Sequence, residues 1–515
     1  MDSRGLRPCH YPHFHRAGVG LMYRGGRRRR RGLRTDRAEA QAKGRGVMED
    51  DVSTTTLAAP HAWAAEQFGE VDLGDRRRTR RVVRLAEQMA RHPAASLPAQ
   101  TSVWRETKAG YRLFAEEDVS FEALQAQHLA QTQAVAGQRP LTPLIQDTSE
   151  LDFTHRRTAD DLGPIGDGGG RGFLLHSTLA VDPTGVGEVR GLADQTLFLR
   201  QPAPAGETRS QWKQRPRESQ VWAQRVAAIG GRPAGSRWLH VADRGADDCG
   251  FFAAGTAVHV GFLVRAYQDR RMAAGHTATE PEDRLLPWAR AWPAAGRTTL
   301  EVRARPQRKR RTAPLRVAYG AVTLFPPWLD REPPEPVRCW LVRVWEPDTP
   351  AGEEPIEWLL LTSAAVTTSA AAVEVARWYS LRWLVEEYHK CLKTGCAVET
   401  RPMEPGHRLA ACTAVLAIVA VRRLQLKLAA RHAPQRPALA AGPVDHVRVL
   451  AAYRGVRAED WSIYQFWREV AKLGGFLGRK GDGEPGWQTL WRGWQQLDLM
   501  TIGAQLARAE NPNCG

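Results

Sequence analysis

The chain has 515 residues, 43% of them hydrophobic and 25% charged, an ordinary folded-protein mix that excludes global disorder and fibrous repeats. The length suits about two to four domains. Lys and Arg number 73 against 56 Asp and Glu, a formal charge of +17, which favours a polyanionic partner, most simply nucleic acid.

Residues 1–57 read as a basic disordered tail. Residues 1–47 alone carry 13 Lys and Arg against 3 acids, and Arg27 to Arg31 form an unbroken run without apolar periodicity. Residues 58–138 read as an N-terminal helical domain. There Asp75 suits a helix cap, and Arg77, Arg80, Arg81 and Arg84 then fall on one face. Val82, Leu85 and Met89 lie elsewhere on the same helix. A helix with one basic and one apolar face can lie along phosphates; a solvated surface helix is the bland alternative.

From residue 141 the pattern becomes α/β. Residues 143–146 form a short strand expected to end at Asp147, two strands follow at 176–181 and 186–199, and a helix at 217–228. A strand at 238–242 ends at Asp243, and after a helical segment another covers 260–265. Short β-like runs between 266 and 365, split by Pro and Gly, read as an antiparallel insertion. Residues 366–395 are helical. More helices follow to the C-terminus, with 433–443 expected as a loop and the apolar run 413–421 as a buried helix. No stretch approaches the ~20 apolar residues of a bilayer span. Seven scattered Cys imply no disulfide framework, and reduced thiols of a cytoplasmic chain are expected.

Two aspartates at strand ends, Asp147 and Asp243, sit where ligands of open α/β sheets gather. If their strands are neighbours, the carboxylates converge into hard oxygen ligands suited to Mg²⁺. Each Asp alone is more often a turn former. Residues 379–393 are more specific. At about 100° per residue, Tyr379, Arg382, Glu386 and Lys393 share one helix face, and Glu387 lies off it. Glu386 is the third candidate ligand, with Arg382, Lys393 and Tyr379 placed to hold a phosphate. A salt-bridged surface helix would also explain Arg382 and Glu386.

The segments Gln146-Asp147-Thr148, Asp243-Arg244-Gly245-Ala246-Asp247 and Tyr379-x2-Arg382-x3-Glu386-x6-Lys393 occur in order. With them come Gly74-Asp75-x-Arg77-Arg78-Thr79, Trp358 to Ser363, and Leu473 to Phe476 followed by Trp487, Trp491 and Trp494. In these the chain resembles DDE transposases of the bacterial insertion-sequence-four family, which includes the transposase of transposon five. The resemblance runs from about residue 62 to 500.

The resemblance implies a ribonuclease H-like (retroviral integrase-type) α/β catalytic core over 139–400, with an antiparallel β insertion at about 266–365. The 143 positions from Asp243 to Glu386 leave room for it. It also implies an N-terminal DNA-binding helical domain and a C-terminal helical dimerisation domain over 401–515. Asp147, Asp243 and Glu386 would be catalytic and hold two Mg²⁺ ions, Mn²⁺ being a possible substitute. Arg77, Arg78, Arg81, Trp358, Tyr379, Arg382 and Lys393 would contact DNA, Trp358 by stacking on a flipped base. The implied activity is cut-and-paste transposition through a hairpin intermediate. Its partners are double-stranded DNA (terminal inverted repeats and target) and a second copy of the chain, in a bacterial cytoplasm at the nucleoid, with no membrane. An inactive transposon-derived DNA binder and a structure-specific nuclease remain alternatives. One departure is Cys249, which stands where a His is expected.

Overall fold

The computed structural model describes residues 60–510 apart from 102, 157–160, 202–203, 205, 209–210, 212–214, 216, 303–310, 327–334 and 480–481. The tail expected over residues 1–57 lies outside the described residues.

Five helices open the described chain: α1 (Pro60–Phe68), α2 (Arg76–Arg91), α3 (Leu97–Thr101), α4 (Trp104–Leu113) and α5 (Phe121–Gly137). Asp75 caps α2, its carboxylate accepting from the Arg77 N–H at 2.7 Å. That cap satisfies one of the orphan donors of the first turn. Val82, Leu85, Ala86 and Met89 are the buried stripe of α2, leaving the arginines on the other side. Ser120 caps α5 in the same way.

The chain then enters a sheet of twelve strands among the described residues. Its first part comprises β1 (Thr142–Asp152), β2 (Gly163–Ile165), β3 (Gly170–Asp182), β4 (Glu188–Phe198), β5 (Trp238–Ala242) and β6 (Gly261–Arg265). β1 pairs antiparallel with β3, and β3 with β4. On its other edge β1 runs parallel to β5, and β5 to β6. Helices α6 (Val221–Ile229) and α7 (Cys249–Ala257) make the crossovers that parallel pairs require.

Side chains alternate across these strands as the period of two demands. Ile145, Val241 and Leu263 share a core with the N-terminal helices and with α9 (Ser369–Ser380), α10 (Trp383–Lys390) and α11 (Gly406–His432). Leu144, Ala242 and Val264 face α6 and α7. The central strands are therefore covered on both faces.

The expected insertion contains β7 (Arg271–Ala274), β8 (Asp283–Arg284), β9 (Gly296–Val302), β10 (Arg311–Leu324), β11 (Val337–Trp345) and β12 (Glu357–Thr362), with the short α8 (Leu285–Arg290). Its strands pair antiparallel, and β12 pairs with β6. The insertion thus extends the same sheet.

Three readings shift. β1 does not end at Asp147; it runs five residues further, because β3 keeps pairing as far as Asp152 opposite Gly172. α11 is long and apolar enough to cross a membrane, contrary to the expectation from composition, yet 89% of its most apolar stretch is buried inside the protein. It is a central core helix, consistent with the buried helix read over 413–421. The segment 433–443 is not all loop; it contains α12 (Ala438–Ala441). α13 (Val444–Tyr453), α14 (Ile463–Leu473) and α15 (Trp487–Glu510) follow. They share a separate cluster that includes Val447, Leu450, Phe466, Val470 and Leu497.

Candidate active site

Register brings the two aspartates together. The last β1–β5 pair is Ile145 opposite Val241, so Asp147 and Asp243 each lie two residues beyond it. β5 ends at Ala242, and Asp243 turns the chain into a short 3₁₀ segment, its carboxylate accepting from Gly245 N–H at 2.8 Å. Asp147 is still inside β1, at the point where its parallel neighbour stops. Burial pushes its carboxyl up to about 6, against the pull of Arg382, with Asp243 and Glu386 adding to the rise.

Glu386 comes from α10 and Arg382 from the turn just before it. The Arg382 guanidinium lies 3.5 Å from the Asp147 carboxylate and is bonded to Glu386. It also interacts with the charge of Asp243. Among the described residues, no three His, Cys, Asp or Glu side chains stand close enough to hold a metal ion as they are arranged. The positive charge among the acids is Arg382. The donor set itself, three carboxylates of two strands and a helix, has the hard-oxygen chemistry of a Mg²⁺ or Mn²⁺ site.

Tyr379 is buried, its hydroxyl shared by Arg382 and Arg265 and raised above its usual pKa by burial. Trp358, half-buried on β12, meets it edge-on at 5.2 Å between ring centroids. Lys393 does not join this group. Residues 379–393 are not one regular helix: α9 stops at Ser380, α10 begins at Trp383, and Cys391–Gly395 widen into a π-helical turn. The wide turn breaks the 100° arithmetic, and Lys393 pairs at 3.6 Å with Glu399, which also accepts from Asp152 N–H.

Several supporting residues were not legible in the sequence. Arg265, at the end of β6, sits near Arg244 and Arg382 and makes a basic rim beside the acids. Gln146 is buried and spans two histidines, donating to His240 Nδ1 at 2.6 Å and accepting from His176 Nε2 at 3.2 Å. Thr148 bonds His176 Nδ1 at 2.8 Å. The strand on either side of Asp147 is therefore pinned from below. Burial drives both histidines down to about 3, so they are neutral. The available signal was a His inside each of two apolar strands.

Glu387, which the helical arithmetic places off the active face, is held elsewhere. Its Oε2 accepts from Lys427 at 2.9 Å and from Trp487 Nε1–H at 2.7 Å, and Lys390 lies 3.3 Å from Oε1. Burial alone would raise its pKa, but these partners hold it down to about 2. Burial keeps Lys427 down to about 8 even beside this carboxylate, and its ammonium sits 3.9 Å over the Trp487 ring.

On α2, Arg77, Arg80 and Arg84 are exposed. Arg81 bonds Glu106 at 2.8 Å, and Arg84 approaches the same carboxylate at 3.5 Å. Arg78 is half-buried and tied to Glu116, Asp118 and the Leu73 carbonyl. Cys249 is buried and accepts from Arg270 at 3.2 Å. The five described cysteines are all buried and free.

Two family models match. One described as Transposase DNA-binding covers residues 60–119, the helices carrying the arginine-rich face. One described as Transposase Tn5 dimerisation domain covers residues 454–513, which include α14 and α15. With DNA binding at one end of the described chain and self-association at the other, the matches support a Tn5-like transposase, a DNA-cutting enzyme that works as a homodimer.

Proposed function

We propose that the protein is a DDE transposase of the insertion-sequence-four type that excises and reinserts a DNA element by phosphoryl transfer. The observation that carries this reading is the meeting of Asp147 and Asp243 by strand register, with Glu386 linked to them through Arg382. The sheet supports it. The order β4–β3–β1–β5–β6, antiparallel on one side of β1 and parallel on the other, is compatible with the ribonuclease H-like core proposed.

Asp147, Asp243 and Glu386 would hold two Mg²⁺ or Mn²⁺ ions, which when bound activate the attacking oxygen and stabilise the leaving one. Arg382, Arg265 and Arg244 offer charge for the scissile and neighbouring phosphates. Tyr379 positions the Arg382 guanidinium. Trp358 offers a ring for a base flipped out at a hairpin bend, and Lys393 reaches phosphate once released from Glu399. Arg77, Arg80 and Arg84 present an exposed basic face to the terminal repeats. The setting is the bacterial nucleoid.

The test incubates the full chain with Mg²⁺ and DNA carrying the inverted repeats that flank its gene. Hairpin-ended excision product is expected, and Asp147→Asn, Asp243→Asn and Glu386→Gln should each abolish cleavage while leaving end binding intact. A variant that cuts at the normal rate removes that residue from the site.

A further inference from the structure

Glu386 and Glu387 are adjacent, about 100° apart around α10, and they look toward different parts of the molecule. Glu386 faces Arg382 and the aspartates. Glu387 is half-buried beneath the C-terminal helix, where one of its oxygens takes both the Trp487 Nε1–H and the Lys427 ammonium. Trp487 is the first residue of α15. The contact does not stand alone. One and two turns further along α15, the Trp491 and Trp494 rings lie 4.2 and 5.0 Å from the buried Arg423 guanidinium of α11. Three indoles of one helix thus grip two cations of the core helix, and the first of them also grips α10. Beyond this grip the far half of α15 exposes Leu499, Ile502 and Leu506 within the segment matched as a dimerisation domain.

We propose that Glu387 is a positioning residue through which α15 sets the Glu386 carboxylate for metal, so that the self-association helix and the acidic site are mechanically one unit. This rests on the metal-site reading above. α10 is short, and its N-terminal side is a turn rather than continuous helix. Tyr388 and His389 tie α10 to the sheet through Gln195 and Ser177, and the Glu387 bonds to α15 and α11 add a second anchor on its other side. A hydrogen bond from an uncharged indole to a half-buried carboxylate is directional, so it restrains rotation of α10 as well as its distance. Supporting groups of this kind typically change metal affinity on the order of 10-fold or more when removed.

The test uses the full chain with Trp487→Phe, which keeps an aromatic ring near Lys427 but removes the N–H together with part of the indole, and Glu387→Gln, which keeps the shape and removes the charge. Mn²⁺ binding is measured calorimetrically on the DNA-free protein, with melting temperature, end binding, and amide hydrogen exchange over residues 383–390 alongside. Mn²⁺ binding is expected to weaken roughly 10-fold in both variants. The α10 amides are expected to exchange faster, with end binding unchanged. If Trp487→Phe fails to fold, Glu387→Gln decides. Folded variants that bind Mn²⁺ as the parent does overturn the proposal and leave Glu387 a packing residue. Glu386→Gln separates the two readings. Wild-type Mn²⁺ binding in that variant overturns the metal site and this proposal with it, whereas loss there but not in Trp487→Phe or Glu387→Gln overturns the coupling alone.

Discussion

The Arg382 guanidinium lies 3.5 Å from the Asp147 carboxylate while bonded to Glu386, so one side chain spans strand β1 and helix α10 across the acidic group. Without a bound cation, it is the counter-charge that lets acids of two sheet strands and a helix stand near one another. Arg382→Gln should therefore destabilise the metal-free protein, by about 1–2 kcal/mol for a partly screened pair. Added Mg²⁺ should raise the melting temperature more in this variant than in the parent. Thermal unfolding with and without Mg²⁺ checks it, and equal gains would show that Arg382 is not the substitute for the ion.

Acid should weaken the fold through its buried histidines, while Asp147 and Asp194, both raised by burial to about 6, work in the opposite direction as pH falls. Burial lowers His128 to about 4 and His176, His240 and His389 to about 3. The unfolded chain takes up these protons near pH 6.5 and the folded one does not. Stability is therefore complete above pH 6.5 and is lost as pH falls toward 4 and then 3, by up to about 1.4 kcal/mol per pH unit for each histidine. Glu387 behaves differently: held at about 2, its contribution is present above about pH 4.5 and fades only as pH falls toward 2. Urea midpoints at pH 7.5 and 5.0 test the histidine part, and a flat profile would refute it.

Neighbouring arginines on α2 should part company. Arg77→Ala removes an exposed charge and should weaken DNA-end binding and reduce its salt slope by about one, with an unchanged melting temperature. Arg78→Ala strips Glu116, Asp118 and the Leu73 carbonyl of their shared donor and should lower the melting temperature. Gel shifts across a salt series, paired with melting curves, separate the two.

The exposed residues of α15 should govern association. Leu499 and Leu506 are 70% and 62% exposed, and an Asp at either position costs a monomer little. Leu499→Asp and Leu506→Asp should shift sedimentation toward the monomer while single-end binding persists. A dimer as tight as the parent's would place the interface elsewhere.

Local spacing carried the features that depend on near neighbours. The Asp75 cap and the Arg382–Glu386 contact at i, i+4 were readable because a helix turn is geometrically fixed. Lys393 was misplaced because a π turn intervenes, and nothing in Cys391-Leu392-Lys393 announces one. The full length of β1 was hidden because most of its last residues are polar and are held by pairing with β3. The pairing of Arg78 depends on Glu116 and Asp118, some forty residues on, a distance at which residue pattern says nothing about partners. The roles of Trp487 and Glu387 are likewise long-range, joining elements a hundred positions apart.

Because β12 is laced directly to β6, the described strands of the insertion continue the core sheet. Trp358 is presented by the same stiff lattice that carries Asp147 and Asp243, and its distance from them is set by backbone pairing.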